Sequence, residues 1–211
     1  FLYSRAIQTL VADGDMRILQ AFADATVSMT EGEVLQLQLL RALKISEGDY
    51  FKIVTGKTAA LMSAASRAGA LVADAPASTV EALAAFGLNL GIGFQLVDDA
   101  LDYIAREERL GKPVGSDFRE GKITYPVIHL MRTASDADRA VLEGLARQEH
   151  VDDDDLALLR SLVEAYDAVP ATMRLVDDYL ARARAHLSAM PESPASRAMH
   201  RLVDFVRERD W

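Results

Sequence analysis

"QLVDDALDYIARE", Gln95 to Glu107, decides the reading of this chain. Leu96, Val97, Leu101 and Ile104 recur at helical spacing, and three aspartates, Asp98, Asp99 and Asp102, are set among them. Carboxylates in such company are costly unless something binds them. Successive helical residues rotate by about 100°, so Asp98 and Asp102 lie about 40° apart with Asp99 flanking them. The spacing predicts three carboxylates converging within one turn. Their repulsion would push a pKa upward, and a bound cation would remove it. Hard oxygen ligands suit Mg²⁺, which keeps waters and shares substrate phosphates. The competing reading is a solvated acidic patch near a helix end, and the five-residue pattern alone leaves it open. Acid near a helix C-terminus opposes the macrodipole, which favours a functional reason.

The chain contains its own control. "LVDDYLARAR", Leu175 to Arg184, nearly repeats the motif but has Ala181 where the third aspartate would stand. No glycine-lysine loop follows it, so Asp177 and Asp178 read as surface residues.

Outward from the motif, the pattern is helical nearly throughout. "MRILQAFADATVSMTEGEVLQLQLLRAL" repeats apolar residues at three and four, and "ISEGDYFKIVTGKTAALMSAASRAGALVA" does the same after a Gly48–Asp49 start. "DAPAS" breaks the pattern through its proline. Ser78 with Glu81 then makes a capping-box pattern, which predicts a long helix from about Thr79 to Arg106. "LGKPVGSDFREGKITYP" is the clear loop. Shorter helices are expected at Pro126–Thr133, Asp136–Arg147, Asp153–Ala168, Ala171–Met190 and Ala195–Arg209. No stretch alternates long enough for a strand, and no linker appears, so the expectation is one all-α domain over residues 1–211.

Composition narrows the function classes. Half of the 211 residues are hydrophobic, as in a globular chain, and a net charge of −9 offers no electrostatic footprint for nucleic acid. With no cysteine, disulfides and thiolate metal sites are excluded, and a reducing compartment such as the cytoplasm fits. The longest uncharged run near the motif, Ala82 to Val97, is short against the roughly 20 residues of a bilayer span, so at most peripheral membrane contact is expected.

A basic counterpart accompanies the acid. Lys112 and Lys122 flank Asp117 in the loop, and Lys57 lies in "TGKTAAL" on an earlier helix. A metal held by carboxylates and ringed by lysines suits a diphosphate; singly, each lysine is equally an ordinary surface residue. "TGKT" lacks the glycine-rich run and preceding strand of a nucleotide loop. Ala84, Gly87, Gly91, Gln95 and Asp98 form one stripe, read either as tight helix packing or as a groove wall that leaves room for an apolar chain. In the second reading, Gly91→Leu would shorten a product. "VDDDDLALL", Val151 to Leu159, reads as a capped helix start, the four histidines have no ligand spacing, and Arg207 and Arg209 read as a solvated basic end, with closure of a basic tail over a diphosphate as the alternative.

"GFQLVDDALDY…LGKPVGSDFREGKITYP" closely resembles the second aspartate-rich region of trans-prenyl diphosphate synthases. "FLYSRAIQTL…EGEVLQL" and "YFKIVTGKTAALMSAASRAGA" look like the same family, in the right order. The resemblance implies a bundle of antiparallel helices, usually homodimeric, that condenses isopentenyl diphosphate onto an allylic diphosphate. By it, Asp98, Asp99 and Asp102 would hold Mg²⁺, with Asp98 the principal ligand. Lys57, Lys112 and Lys122 would contact diphosphate oxygens, and Gln95 and Thr58 would line the pocket near the reacting carbons. "EGEVLQL" looks like long-chain synthases that supply quinone side chains. The family's earlier D-D-x-x-D and Gly-Gly-Lys are not in these residues; the resemblance puts them before Phe1, in N-terminal helices this chain lacks, so the 211 residues alone are expected to be inactive. The alternatives are a noncatalytic subunit of such an enzyme, or a helical bundle that only binds divalent metal.

Overall fold

The helix carrying the acidic motif is the axis around which the others pack. In the computed structural model, which describes residues 1–104, 115–188 and 190–209, it runs over Ala77–Ile104 and is the longest element. It starts two residues earlier than the pattern at Ser78 and Glu81 predicts. The carbonyl of Pro76 already accepts from the amides of Thr79 and Val80, at 2.9 and 3.0 Å. Glu81 pairs with Arg67 instead, at 3.0 Å. Leu96, Val97, Ala100, Leu101 and Tyr103 are all buried, so this end of the helix is enclosed on nearly every side. Its length and hydropathy would suffice to cross a bilayer, but 56% of its most apolar window is buried inside the protein, as in a central core helix.

In chain order the helices are α1 (Leu2–Asp13), α2 (Met16–Gln38), α3 (Glu47–Val54), a π-helical turn (Thr55–Ala59), α4 (Ala60–Val72), α5 (Ala77–Ile104), α6 (Ser116–Arg119), α7 (Tyr125–Thr133), α8 (Asp136–Ala146), α9 (Asp153–Ala165), α10 (Ala168–Leu187) and α11 (Pro194–Glu208). Among the described residues every regular element is helical, as expected for the all-α class. α4 and α10 pack along α5, α2 lies on α4 and the π turn, and α11 closes against α10 and α5. One large apolar cluster surrounds α5; a smaller one joins Ile18, Ala70, Leu71 and Val80.

Side-chain caps fix several helix starts. Asp15 accepts from the Arg17 amide at 2.8 Å and Ser46 from the Asp49 amide at 3.0 Å, which starts α3 at Glu47 rather than at Gly48. Asp152 and Asp155 form the capping box of α9, as the "VDDDD" run predicts. Two expectations need correction. The glycine- and proline-rich loop contains the helical turn α6. α9 ends at Ala165, and α10 begins at Ala168, ahead of Pro170. Asp167 makes the break with a left-handed backbone, φ 49°, and a proline in a first turn removes an amide that has no intrahelical partner anyway.

The small-residue stripe on α5 is a packing seam, not a groove wall. A Cβ on Gly87 would lie 2.4 Å from the Met62 carbonyl oxygen, and one on Gly91 would lie 2.6 Å from the Ala59 Cα. Backbone of α4 and the π turn occupies the space that a growing chain would need, so Gly91→Leu would disrupt folding before it altered any product. The milder Gly87→Ala should lower stability by about 1–3 kcal/mol through overpacking. Gly69→Ala, inside α4 with nothing within 4 Å of the added methyl, should raise it by about 0.4–1 kcal/mol. Thermal unfolding followed by circular dichroism should move in opposite directions for the two variants.

Candidate active site

Two glycines bring α2 against the π turn. A Cβ on Gly56 would lie 2.6 Å from the Ser28 carbonyl oxygen, and one on Gly32 would lie 3.0 Å from the Lys57 amide nitrogen. This close crossing sets Lys57 beside the last turns of α2. Its ammonium pairs with Glu33 at 2.6 Å and donates to Gln36 Oε1. The π turn carries one more residue than an α-helical turn, a distortion that recurs at functional sites. Here it presents Lys57 and Thr58 together to α5.

From Thr58 a chain of hydrogen bonds crosses to α3. Thr58 Oγ1 donates to Gln95 Oε1 at 2.8 Å, Gln95 Nε2 donates to Asp99 Oδ1 at 2.9 Å, and the Tyr50 hydroxyl donates to Asp99 Oδ2 at 2.5 Å. Asp99 is 2% exposed. Burial pushes its carboxyl up to about 7, against the lowering effect of the Tyr50 and Gln95 bonds. Burial and then the Asp99 charge push the Tyr50 hydroxyl well above the usual phenol range, so Tyr50 keeps its proton and donates.

The three aspartates of the motif do not converge. Asp98, with 53% of its side chain exposed, is the open one. Asp99 turns inward to Tyr50. Asp102, 7% exposed, turns to the start of α6: its Oδ1 accepts from the Ser116 amide at 3.2 Å and the Ser116 hydroxyl at 2.9 Å, and its Oδ2 accepts from the Asp117 amide at 3.1 Å. Burial, then Asp117, raises its pKa against those bonds. Helical spacing set the three Cα atoms correctly; the backbone amides of Ser116 and Asp117 draw Asp102 away. Among the described residues no three Asp, Glu or His side chains stand ready to hold one ion.

Lys122 sits across from Lys57, held by Asp117 at 3.1 Å and Glu120 at 2.6 Å. Burial lowers its pKa, but Glu120 and Asp117 outweigh that and bring it up to about 12. One pocket of about 190 Å³ is lined by Lys57, Thr58, Gln95, Asp98, Asp99 and Lys122, together with Gln36, Tyr50 and Asp117 and the apolar Leu39, Ile45, Ile53, Val54 and Ile123. Six expected site residues therefore meet in one place. Asp102 is not among the lining residues, and Lys112 lies outside the described residues. Gln36 and Tyr50 escaped the sequence reading. Their one signal is a polar group in a helical apolar run, Tyr50 two turns before Lys57.

The basic chain end is not wholly solvated. Arg207 pairs with Asp177 on the surface, but the Arg209 side chain is only 9% exposed. Arg209 lies 4.3 Å from the centre of the Phe94 ring and 3.6 Å from Asp98.

The donor set fits a divalent cation of the hard type. Asp98 and Asp117 offer only carboxylate oxygen to the pocket, and Mg²⁺ is typically bound through one or two carboxylates plus substrate phosphates, without a full protein cage. Two ammonium groups on the same walls fit the phosphates. Asp99 also gives a pH prediction. A carboxyl whose pKa rises on folding from 3.8 to about 7 binds its proton more tightly in the native state. Stability is then highest below about pH 4 as far as this group is concerned, and falls as pH rises towards 7, by roughly 1.4 kcal/mol per unit at most. Without divalent cation, Asp99→Asn should remove that slope, read as denaturation midpoints between pH 4 and 7.5; an unchanged slope would place the burial cost elsewhere.

Known proteins resemble this chain over nearly its whole length. Residues 1–163 match the sequence profile of the family described as polyprenyl synthetase. The chain is 33% identical over 213 residues to a short chain isoprenyl diphosphate synthase of Methanothermobacter thermautotrophicus, covering 99% of this chain and 65% of that protein. It is 32% identical over 213 residues to the octaprenyl diphosphate synthase of Escherichia coli, covering 100% and 65%. The chain thus spans 65% of the length of these curated relatives. A polyprenyl synthase of Caulobacter crescentus, solved with calcium and isoprenyl diphosphate, superposes with a TM-score of 0.93 at 38% identity, covering 100% of this chain and 64% of that one.

Proposed function

The chain belongs to the polyprenyl synthetase family, and on that premise we propose that its protein condenses isopentenyl diphosphate with an allylic diphosphate to give a long-chain polyprenyl diphosphate. One observation carries the reading. Two ammonium groups, Lys57 and Lys122, and the carboxylates of Asp98 and Asp117 line the same pocket as the Thr58–Gln95–Asp99 chain. Lys112, placed by resemblance, would add a third cation.

The residues divide the work. Asp98 and Asp117 would hold Mg²⁺, which supplies positive charge to the diphosphate oxygens. Lys57 and Lys122 bind the remaining oxygens and neutralise the charge that builds up as the allylic C1–O bond breaks, with its electron pair leaving on diphosphate. The isopentenyl double bond attacks C1 and leaves a cation on the isopentenyl unit; that cation loses a proton to a diphosphate oxygen, and the C–H electron pair becomes the product double bond, since among the described residues no histidine lines the pocket. Gln95 and Thr58, tied to each other and to Asp99, keep a fixed polar edge beside the reacting carbons. Support for a long product comes from the "EGEVLQL" resemblance and the octaprenyl relative. Support for a homodimer comes from exposed apolar side chains on α1 and α2, including Leu2, Ile7, Val11, Val27 and Leu37. Cytoplasmic placement rests on the cysteine-free composition.

The test is release of diphosphate by the complete protein given both substrates and Mg²⁺, with product length read by mass spectrometry. Turnover undiminished by excess chelator would refute the metal role. Asp98→Ala should cut kcat/KM by about 30- to 4,000-fold, from the roughly 2–5 kcal/mol lost when one partner of a close charge pair is truncated. Asp177→Ala breaks only the surface pair with Arg207 and should cost under about 1 kcal/mol of stability with kcat/KM nearly unchanged. Equal, small effects on two folded variants would return the motif to an acidic surface patch.

A further inference from the structure

Arg41 is one of three non-glycine residues with a left-handed backbone, φ 60°, among the described residues. It lies in the connection between α2 and α3, outside the pocket lining, and nothing in the sequence pattern marks it. Strain of this kind persists only where the surroundings hold it. Here the surroundings are the turn that carries Lys122. The Arg41 amide donates to the Gly121 carbonyl at 2.7 Å. The Arg41 side chain lies flat on Gly121: a Cβ there would be 2.9 Å from Arg41 Cγ, 3.5 Å from Nε and 3.7 Å from Cδ. Its guanidinium then reaches the Glu149 carbonyl at 3.1 Å.

Gly121 is itself left-handed, φ 84°, and directly precedes Lys122. The other end of this segment is already fixed, since Asp102 accepts from Ser116 and Asp117. Lys122 closes the turn through its own amide, which donates to the Asp117 carbonyl at 2.8 Å. The segment 116–122 is therefore pinned at one end by Asp102 and at the other by Arg41.

We propose that Arg41 is a positioning residue: its backbone amide and the aliphatic part of its side chain clamp Gly121, and so aim the Lys122 ammonium into the pocket. The inference rests on the reading that this pocket takes a diphosphate. A glycine at position 41 would keep the amide and relieve the strain; what it would lose is the cover over Gly121, and that cover is the reason for a long side chain in a strained place.

The test is binding of inorganic diphosphate with Mg²⁺ to the complete protein by titration calorimetry. Arg41→Gly should weaken binding about fivefold or more in the wild-type background and have little effect in Lys122→Ala, a coupling expected only if Arg41 acts through Lys122. Arg41→Met keeps the aliphatic cover without the charge and should bind close to wild type. Arg41→Met as weak as Arg41→Gly would overturn the clamp in favour of a direct charge effect. Tight binding by a folded Arg41→Gly, or equal losses in both backgrounds, would also overturn it while leaving the pocket reading intact. Should wild type fail to bind diphosphate, or Lys122→Ala bind as wild type does, both readings fall. If Arg41→Gly does not fold, the comparison of Arg41→Met with Arg41→Ala decides the same point.

Discussion

Two buried carboxylates on the central helix govern how this end of the molecule is built. A charge-bearing group cannot be enclosed by Leu96, Val97, Leu101 and Tyr103 unless other segments supply donors. Asp99 draws in Tyr50 from α3, and Asp102 draws in the first two amides of α6. Satisfying the two forces α3, α5 and α6 to meet at one place, and the pocket lies there, with α2 and the π turn supplying its other walls. Asp98, one position before the first of them, is left with an open side facing that space.

The sequence made the helical architecture readable because apolar spacing of three and four is a local property. Most helix ends fell within a few residues for the same reason: caps such as Ser46 and Asp152 sit next to what they cap. What could not be read depends on residues distant in sequence. Helical rotation predicted three convergent carboxylates correctly at the level of Cα positions, but each side chain follows its partner, and Tyr50 is 49 residues from Asp99. The spacing of Gly87 and Gly91 is the same for a packing seam and for a groove; only the facing Met62 carbonyl and Ala59 backbone decide between them. Neither the π turn at Thr55–Ala59 nor the left-handed Arg41 leaves a compositional trace.

The electrostatics of the pocket also differ from what composition suggests. The chain carries a net charge of −9, yet its two pocket lysines are not excess positive charge waiting for an anion. Lys57 rests on Glu33 and Gln36, and Lys122 on Asp117 and Glu120. Under the proposed function a diphosphate would exchange these partners, because both ammonium groups are already compensated by carboxylates. Acidic residues beside basic ones thus balance the lysine charges within the pocket wall itself.

The π turn couples the phases of α3 and α4. The two helices and the turn form one continuous rod from Glu47 to Val72, and the extra residue in the turn offsets everything beyond it by about 100° relative to an unbroken α-helix. Tyr50, before the turn, is phased to Asp99; Ala59 and Met62, at its end and just beyond, are phased to Gly91 and Gly87. Both alignments hold only while the residue count between them is kept. The turn therefore acts like a reading frame within the rod: insertion or deletion of a single residue would break one alignment or the other.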